Sequence, residues 1–301
     1  MLIRRLRNDN VTEFFIFSLI FNATIVSDMD FYKWFFLEEG RTPEGLFSFA
    51  HLFSVTITLI AFLTLAYFLG KKFRNKPKAQ TIVLMVAGIS IVLVEAAKIA
   101  YCAATSTDSF WSVLFGLFPL YFCDVPIYII PLAAFTRGRF RTWCIDFMAI
   151  CGLLMGFMGN YFAGNIYGSS CAISFFAVNS LLNHSISAFV AFFIFVAKMY
   201  KFEKRDIPFV VGILFTFMTI ALVVDYIWKR NFMFFFNGDG TPFTLFLNLF
   251  GGALIPYQIT IYVLQCGYIG LFYGVYYWIM SSLKKREEHK KLQAQDSTSS
   301  N

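Results

Sequence analysis

The chain has 301 residues, of which 58% are hydrophobic and only 14% are charged. Soluble globular domains usually contain about 25% charged residues, so this composition excludes an ordinary soluble fold and indicates a polytopic membrane protein. The net charge of +7 does not indicate nucleic-acid binding, because the basic residues occur in short runs between apolar segments. Such runs are typical of membrane-protein loops, where they set the orientation and contact anionic headgroups.

Residues 1–46 precede the first clear membrane span and are predicted to form a separate amino-terminal segment. The segment begins with Arg4, Arg5 and Arg7 and contains an apolar stretch at 11–26, which is short for a membrane span. We interpret this stretch as an interfacial helix, and a short additional span is the alternative. It lacks the small-residue cleavage pattern of a signal peptide, so we do not expect its removal.

Seven apolar runs follow in residues 47–282, each close to the roughly 20 residues that a bilayer requires. The intervening segment 242–256 contains prolines and glycines, which favour an interfacial or re-entrant piece. Residues 283–301 are rich in Lys, Glu, Gln and Ser and are predicted to form a flexible tail. The predicted fold is therefore an all-α bundle of seven transmembrane helices. The apolar runs lie at 47–69, 81–101, 112–135, 143–163, 173–197, 208–228 and 257–280.

The distribution of basic residues predicts the orientation of the bundle. Lys and Arg follow the first, third, fifth and seventh spans, whereas the alternate loops 102–111 and 164–172 contain neither residue. Because basic loops stay on the cytoplasmic side, the amino terminus is predicted to be outside and the carboxyl terminus cytoplasmic. Lys229 and Arg230 are exceptions to this pattern.

Cys123 and His184 are the candidate catalytic residues. Cys123 lies in a polar interruption of the third span, between Pro119 and Pro126, and each candidate lies 11 residues after the start of its span. A rise of about 1.5 Å per residue places each side chain about 16 Å below the outer membrane edge, near the midplane. A thiol and an imidazole at one depth are the pair that covalent catalysis needs, because the histidine removes the thiol proton and the thiolate attacks an acyl carbonyl.

A structural interpretation of the same residues is the alternative. In it, Cys123 packs as a small apolar residue and His184 forms a hydrogen bond within the bundle. Asp124 lies about 100° further round a regular helix than Cys123, so it is not expected to share the direction of the thiol. It is predicted to orient a histidine or to hold a neighbouring helix. Pro119 and Pro126 either kink the third helix or open its backbone around a substrate pocket.

Other polar residues in the spans are assigned bridging or supporting roles. Glu95 and Lys98, at i and i+3 on the second span, are predicted to form a neutralising ion pair. His51 lies near the outer end of the first span, where an interfacial or supporting role is expected. Hydrogen bonds between helices or a place in a pocket wall are expected for Asn160, Asn179, Asn183, Asp225 and Gln265.

The six cysteines have no CxxC pairing or finger-like spacing, so a structural zinc site is not expected. No other metal and no cofactor is predicted. Cys102 and Cys171 lie near the predicted outer ends of spans. A disulfide between them stays open, because spacing alone does not establish connectivity.

The sequence LFPLYFCD, from Leu117 to Asp124, resembles the leucine-proline-leucine, two-residue, cysteine-aspartate signature of the YwaF-like family, which is related to eukaryotic transmembrane protein 164. The segments Phe49-Ala50-His51-Leu52 and Asn231-Phe232-Met233-Phe234 are also similar, as is the seven-span layout. The resemblance thus covers most of the chain. Tyr121 departs from the common bacterial pattern, in which histidine is frequent, and this removes one polar partner near the site.

The resemblance implies a membrane O-acyltransferase-like activity with Cys123 as nucleophile and His184 as base. In the eukaryotic relative, the acyl chain passes from a diacyl phospholipid to a lyso ether phospholipid. We therefore expect an acyltransferase that moves an acyl chain from a glycerophospholipid to a lysolipid through a thioester, in a bacterial plasma membrane. The alternatives are a lipid ester hydrolase at the same site, as in the distantly related androgen-induced lipid hydrolases, and a non-enzymatic transporter or receptor-like bundle.

The expected partners are membrane phospholipids and lysophospholipids, without nucleic acid. Five residues are expected to support the catalytic pair or to line the substrate pocket. They are Asp124, His51, Tyr121, Asn179 and Asn183.

Overall fold

The computed structural model describes residues 29–239, 241 and 243–299. These residues form helices and turns and contain no strand. Six of their helices are long and apolar enough to cross a membrane, and one further apolar helix is shorter. The predicted all-α, multi-pass membrane fold is therefore confirmed. The main helices are α1 (Phe49–Phe73), α2 (Pro77–Thr105), α3 (Val125–Phe135), α4 (Gly138–Tyr161), α5 (Phe175–Ala197), α6 (Ile207–Trp228) and α7 (Leu254–Ser299).

Short helical segments precede or connect the main helices. The predicted interfacial helix at 11–26 lies outside the described residues. Helix α7 continues through the predicted tail to Ser299, and the mobility of residues 283–301 and the orientation of the bundle stay predictions. The short segments are Met29–Tyr32, Lys33–Leu37, Phe110–Gly116, Phe122–Asp124, Gly164–Tyr167, Lys204–Asp206, Phe232–Phe234 and Phe243–Leu249.

The third predicted span, 112–135, is not one continuous helix, which corrects that part of the prediction. Pro119 lacks an N–H group and disfavours a helical conformation at Phe118, so helical hydrogen bonding cannot run through this point. The N–H of Leu120 instead donates to the Phe118 carbonyl at 2.8 Å. Pro119 therefore lies in an opened backbone, and a substrate pocket around this opening stays a prediction. The span consists of Phe110–Gly116, an irregular stretch at 117–121, the 3-10 turn Phe122–Asp124, and α3.

A glycine allows α2 and α3 to approach closely. A Cβ atom on Gly88 would lie 3.2 Å from the backbone nitrogen of Pro131, which is inside α3. Small residues at such contacts are typical of membrane helices, which associate through close packing. Leu84, Ile91 and Ile130 belong to the buried apolar core of these helices.

The chain divides into two compact units. The smaller unit comprises Met1–Ser54 and Gly164–Val178, and the larger comprises Val55–Ala163 and Asn179–Asn301. Helices α1 and α5 contribute residues to both. The larger unit contains both candidate catalytic residues.

Two carboxylates of the smaller unit hold the loop that precedes α5. Glu38 accepts a hydrogen bond from the Cys171 N–H at 2.6 Å. Glu44 accepts one from the Ala172 N–H at 2.8 Å. Charge-assisted hydrogen bonds of this kind are stronger than those between neutral groups, so the acidic residues before α1 fix this loop.

The thiol of Cys171 also lies in this loop and is buried. Burial, together with its contact to Glu38, raises the pKa of the Cys171 thiol to about 11. The group therefore stays protonated at neutral pH, which disfavours thiolate chemistry. All six cysteines are free thiols in the structure.

Buried aspartates order the loop between α5 and α6 in the larger unit. Asp146 of α4 accepts hydrogen bonds from the N–H groups of Lys201 and Phe202 at 3.0 and 3.1 Å. Asp206 accepts one from the Trp143 indole at 2.9 Å. These bonds fasten the loop and the start of α6 to α4.

Candidate functional site

The candidate nucleophile Cys123 lies in the 3-10 turn where the third span resumes. Its side chain is partly exposed, whereas Asp124 is only 7% exposed. The Sγ atom of Cys123 lies 4.0 Å from Oδ1 of Asp124. The other oxygen of Asp124 accepts a hydrogen bond from the Tyr121 N–H at 3.1 Å, and the Asp124 N–H donates to the Tyr121 carbonyl at 2.9 Å. These two bonds close the turn and hold the carboxylate beside the thiol.

The expectation that Asp124 cannot share the direction of Cys123 is wrong. The carboxylate of Asp124 accepts a hydrogen bond from the N–H of Tyr121, three residues earlier. In a continuous helix this N–H would be bonded to a backbone carbonyl and could not reach the carboxylate. The depth of Cys123 also cannot be counted along a helix, because the chain at 117–121 is irregular. A common depth for Cys123 and His184 stays a prediction.

An ion pair on α2 provides the charges nearest to the thiol. The Nζ atom of Lys98 is 2.7 Å from Oε1 of Glu95, which confirms the predicted pair, and the two side chains are 24% and 4% exposed. Lys98 also interacts electrostatically with Asp124 and Cys123 and with His184. The positive charge of Lys98 attracts the ionised forms of Asp124 and Cys123, and it repels a protonated His184.

Two asparagines of α5 connect that helix to α2. The side-chain amide of Asn179 donates to the Val94 carbonyl at 2.6 Å. That of Asn183 donates to Oε2 of Glu95 at 3.4 Å. The predicted bridging role is confirmed for both. Asn183, which directly precedes His184, thus connects the Glu95–Lys98 ion pair to α5.

His184 lies against the backbone of α4. It is 6% exposed and its Nδ1 atom is buried without a hydrogen-bond partner. Gly159 provides the space for the ring, since a Cβ atom at this position would lie 2.4 Å from Nδ1. Among the described residues, no hydrogen bond joins the imidazole to Cys123 or to another side chain. Buried polar atoms without partners are rare and costly, so this nitrogen calls for a chemical or structural reason.

The turn after α6 packs on the interrupted span. The ring of Tyr121 lies edge-to-face on Phe232 at 5.3 Å, and 6.0 Å from the ring of Phe234. Asp225 accepts a hydrogen bond from the Phe232 N–H at 2.7 Å, and the side-chain oxygen of Asn231 accepts two backbone N–H groups of the turn. Two of the sequence segments that carry the family resemblance are thus in contact.

His51 belongs to the smaller unit and is fully buried there. Its Nδ1 accepts a hydrogen bond from the Phe47 N–H at 3.0 Å. Its ring lies 4.0 Å from the ring of Tyr167. These contacts fix the start of α1, and a role for His51 at the substrate pocket stays a prediction.

Lys98 and Gly159 are site residues that sequence reasoning did not assign. The signal for Lys98 was present, because an ionisable residue inside a membrane span marks a functional position by default. Gly159 had no comparable signal, since its importance comes from a contact with a residue 25 positions later in the chain.

The model of the TMEM164 family matches residues 46–276. This range includes α1 to α6, most of the spanning part of α7, and both candidate catalytic residues. The relation to transmembrane protein 164 that the motifs indicated is therefore confirmed. No curated protein and no solved structure is significantly similar to the chain.

Replacing Lys98 with Met is expected to lower the free energy of unfolding by about 3 kcal/mol, because Glu95 would remain as a buried charge without its partner. The double variant Glu95→Gln/Lys98→Met is expected to recover most of this loss, since neither charge remains. Unfolding of the purified protein in detergent measures both values. Lys201→Met, which removes an exposed lysine, is the control and should change stability by less than about 0.5 kcal/mol. If the single and double variants lost the same free energy of unfolding, the result would contradict a buried ion pair in which Glu95 and Lys98 neutralise each other.

Gly159→Ala is expected to destabilise the protein by roughly 1–3 kcal/mol, because the added methyl group overlaps the His184 ring in a packed interior. Gly212→Ala in α6 is the matched control, since a Cβ atom there meets nothing within 4 Å. Alanine also favours the helix at that position. The comparison uses unfolding midpoints of both variants in one detergent. A Gly159→Ala protein as stable as Gly212→Ala would show that the ring does not occupy this space.

Proposed function

Because the chain belongs to the TMEM164 family, we propose that it is a membrane-embedded phospholipid acyltransferase. The acyl chain passes from a glycerophospholipid to a lysophospholipid through a thioester on Cys123, with His184 as the general base. The proposed location is a bacterial plasma membrane.

The observation that supports the proposal is a partly exposed thiol at a backbone opening inside an apolar bundle, with its Sγ atom 4.0 Å from Oδ1 of Asp124. Packing of helices in lipid does not need charges beside a cysteine, and such charges are costly there. A cysteine that only filled space would more simply lie in a continuous helix, whereas Cys123 lies at a backbone opening. Ionisable groups gathered around a nucleophile are typical of active sites.

In the first half-reaction, His184 accepts the thiol proton of Cys123 and the sulfur attacks the carbonyl carbon of the lipid ester. The Lys98 ammonium stabilises the thiolate and then the oxyanion of the tetrahedral intermediate. The carbon–oxygen bond of the ester breaks, and the leaving oxygen takes the proton from the His184 imidazolium. The products are a lysophospholipid and an acyl thioester on Cys123.

In the second half-reaction, the hydroxyl of another lysophospholipid gives its proton to His184, and its oxygen attacks the thioester carbonyl. The carbon–sulfur bond breaks and the sulfur recovers the proton. Water in place of the lysophospholipid would release a free fatty acid. Transfer is favoured over hydrolysis where the site excludes water. Apolar surroundings exclude water in this way.

The mechanism requires the thiol to come within hydrogen-bond reach of His184 when lipid is bound. The irregular stretch at 117–121 is the element that permits this movement, because its backbone lacks the regular hydrogen bonds of a helix. Because Nδ1 of His184 lies against α4 at Gly159, the mechanism assigns the thiol proton to the other ring nitrogen, Nε2. Closure on substrate is a common way to complete an active site.

Cys123→Ala and His184→Ala are each expected to lower acyl exchange at least about 100-fold, because they remove the nucleophile and its general base. The assay follows a labelled acyl chain from a phospholipid to an added lysophospholipid, with purified protein in liposomes. Both variants are compared with the wild type only after their unfolding midpoints agree.

Cys266→Ala is the matched control, because Cys266 is also a partly exposed membrane cysteine but contacts Met218. It should retain wild-type exchange. Wild-type exchange by folded Cys123→Ala protein would refute the mechanism. Release of labelled free fatty acid without exchange would identify a hydrolase, and the absence of both products would favour a non-enzymatic bundle.

A further inference from the structure

A second site lies near the start of α2, far along the helix from the thiol. Lys78 precedes Lys98 by 20 residues on α2, which corresponds to about 30 Å of helix. A cavity of ≈ 440 Å³ opens there, lined by Lys78 and Thr81 of α2, by the end of α3, and by Arg137 and Arg141. The proposed acyl transfer assigns no role to this cavity.

The lining of this basic cavity is positively charged and contains no carboxylate. Within the described part of the chain, none of its three cations forms an ion pair. Arg141 is held in place, because it donates to the Ala133 carbonyl at 2.9 Å and to the Thr81 hydroxyl at 2.8 Å. Lys78 and Arg137 remain exposed. The cavity therefore combines one fixed guanidinium with two cations that are available to a ligand.

An apolar groove of ≈ 320 Å³ adjoins the basic cavity, and Ile82 lines both. Ile82, Val86 and Ser90 lie at four-residue intervals on one face of α2. Leu65 of α1 and Phe189 of α5 contribute to the opposite walls. Ile82 and Val86 are about 60% exposed, so the groove is open on the lipid-facing side of the bundle.

We propose that the basic cavity and the apolar groove together bind one anionic glycerophospholipid, with its phosphate beside Arg141 and one acyl chain along α2. The charge of the cavity suits a phosphate, and arginine is well suited to bind its oxygens. The continuous apolar wall favours a lipid over a free phosphate ion, because a phosphate ion has no apolar chain that could pack against it. Basic cavities between membrane helices next to basic loops are typical of anionic-lipid binding.

Binding to the delipidated full-length protein in neutral detergent tests this site, with long-chain phosphatidylglycerol and phosphatidylcholine as probes. Phosphatidylglycerol is expected to bind at least about tenfold more tightly, because only it carries net negative charge. Lys78→Gln/Arg137→Gln is expected to weaken phosphatidylglycerol binding roughly 30-fold, at about fivefold for each cation. Both side chains are exposed, so these changes should not impair folding.

Two further variants separate this site from general charge attraction. Lys71→Gln/Lys72→Gln removes the same charge from exposed positions at the end of α1, outside the cavity lining, and should leave the affinity within about twofold. Val86→Trp fills the apolar groove and should weaken long-chain phosphatidylglycerol while leaving binding of glycerol phosphate unchanged.

The proposal is overturned by any of three results. Equal affinity for phosphatidylglycerol and phosphatidylcholine would show that the lipid charge does not matter. Equal losses of phosphatidylglycerol affinity in Lys78→Gln/Arg137→Gln and Lys71→Gln/Lys72→Gln would show non-specific charge attraction. Glycerol phosphate that binds as tightly as phosphatidylglycerol, together with an inert Val86→Trp, would assign the cavity to a small phosphate compound. Each result is independent of acyl exchange, so this site is tested separately from the proposed function.

Discussion

The Glu95–Lys98 ion pair inside α2 is the charged contact on which the candidate site depends. A charged pair at membrane depth is tolerated only when protein encloses it, and here a contact of 2.7 Å satisfies the pair internally. Asn183 adds a hydrogen bond to the glutamate, while the lysine interacts with Cys123 and His184. Three separate spans therefore contribute polar groups around the Glu95–Lys98 pair: α2, the interrupted third span and α5.

Two local departures from regular helix packing position the candidate catalytic side chains. Pro119 interrupts the third span, so that Asp124 can fold back onto the turn and lie beside the thiol of Cys123. Gly159 removes a side chain from α4, so that the His184 ring can lie on its backbone. Helical hydrogen bonding thus stops at Pro119, shortly before Cys123. At Gly159 the missing side chain leaves room for His184.

Hydropathy predicted the all-α membrane fold and the approximate position of each span, because each span must be long and apolar whatever it contacts. The Glu95–Lys98 pair was also predictable, since i and i+3 positions adjoin on a helix. The fold-back of Asp124 was not, because it depends on where helical hydrogen bonding stops. The contact of Gly159 with His184 depends on how α4 and α5 pack, which a single sequence does not encode in any local pattern.

The most direct test of the central claim is to locate the acyl group on the protein. Wild-type protein in liposomes of labelled phospholipid would be quenched, digested and examined by mass spectrometry of its peptides. The proposed mechanism predicts a fatty acyl group on Cys123 that neutral hydroxylamine removes, with one lysophospholipid formed for each acyl group. A Cys123 peptide that stays unacylated while exchange proceeds, or an acyl group on another residue that Cys123→Ala does not abolish, would contradict it.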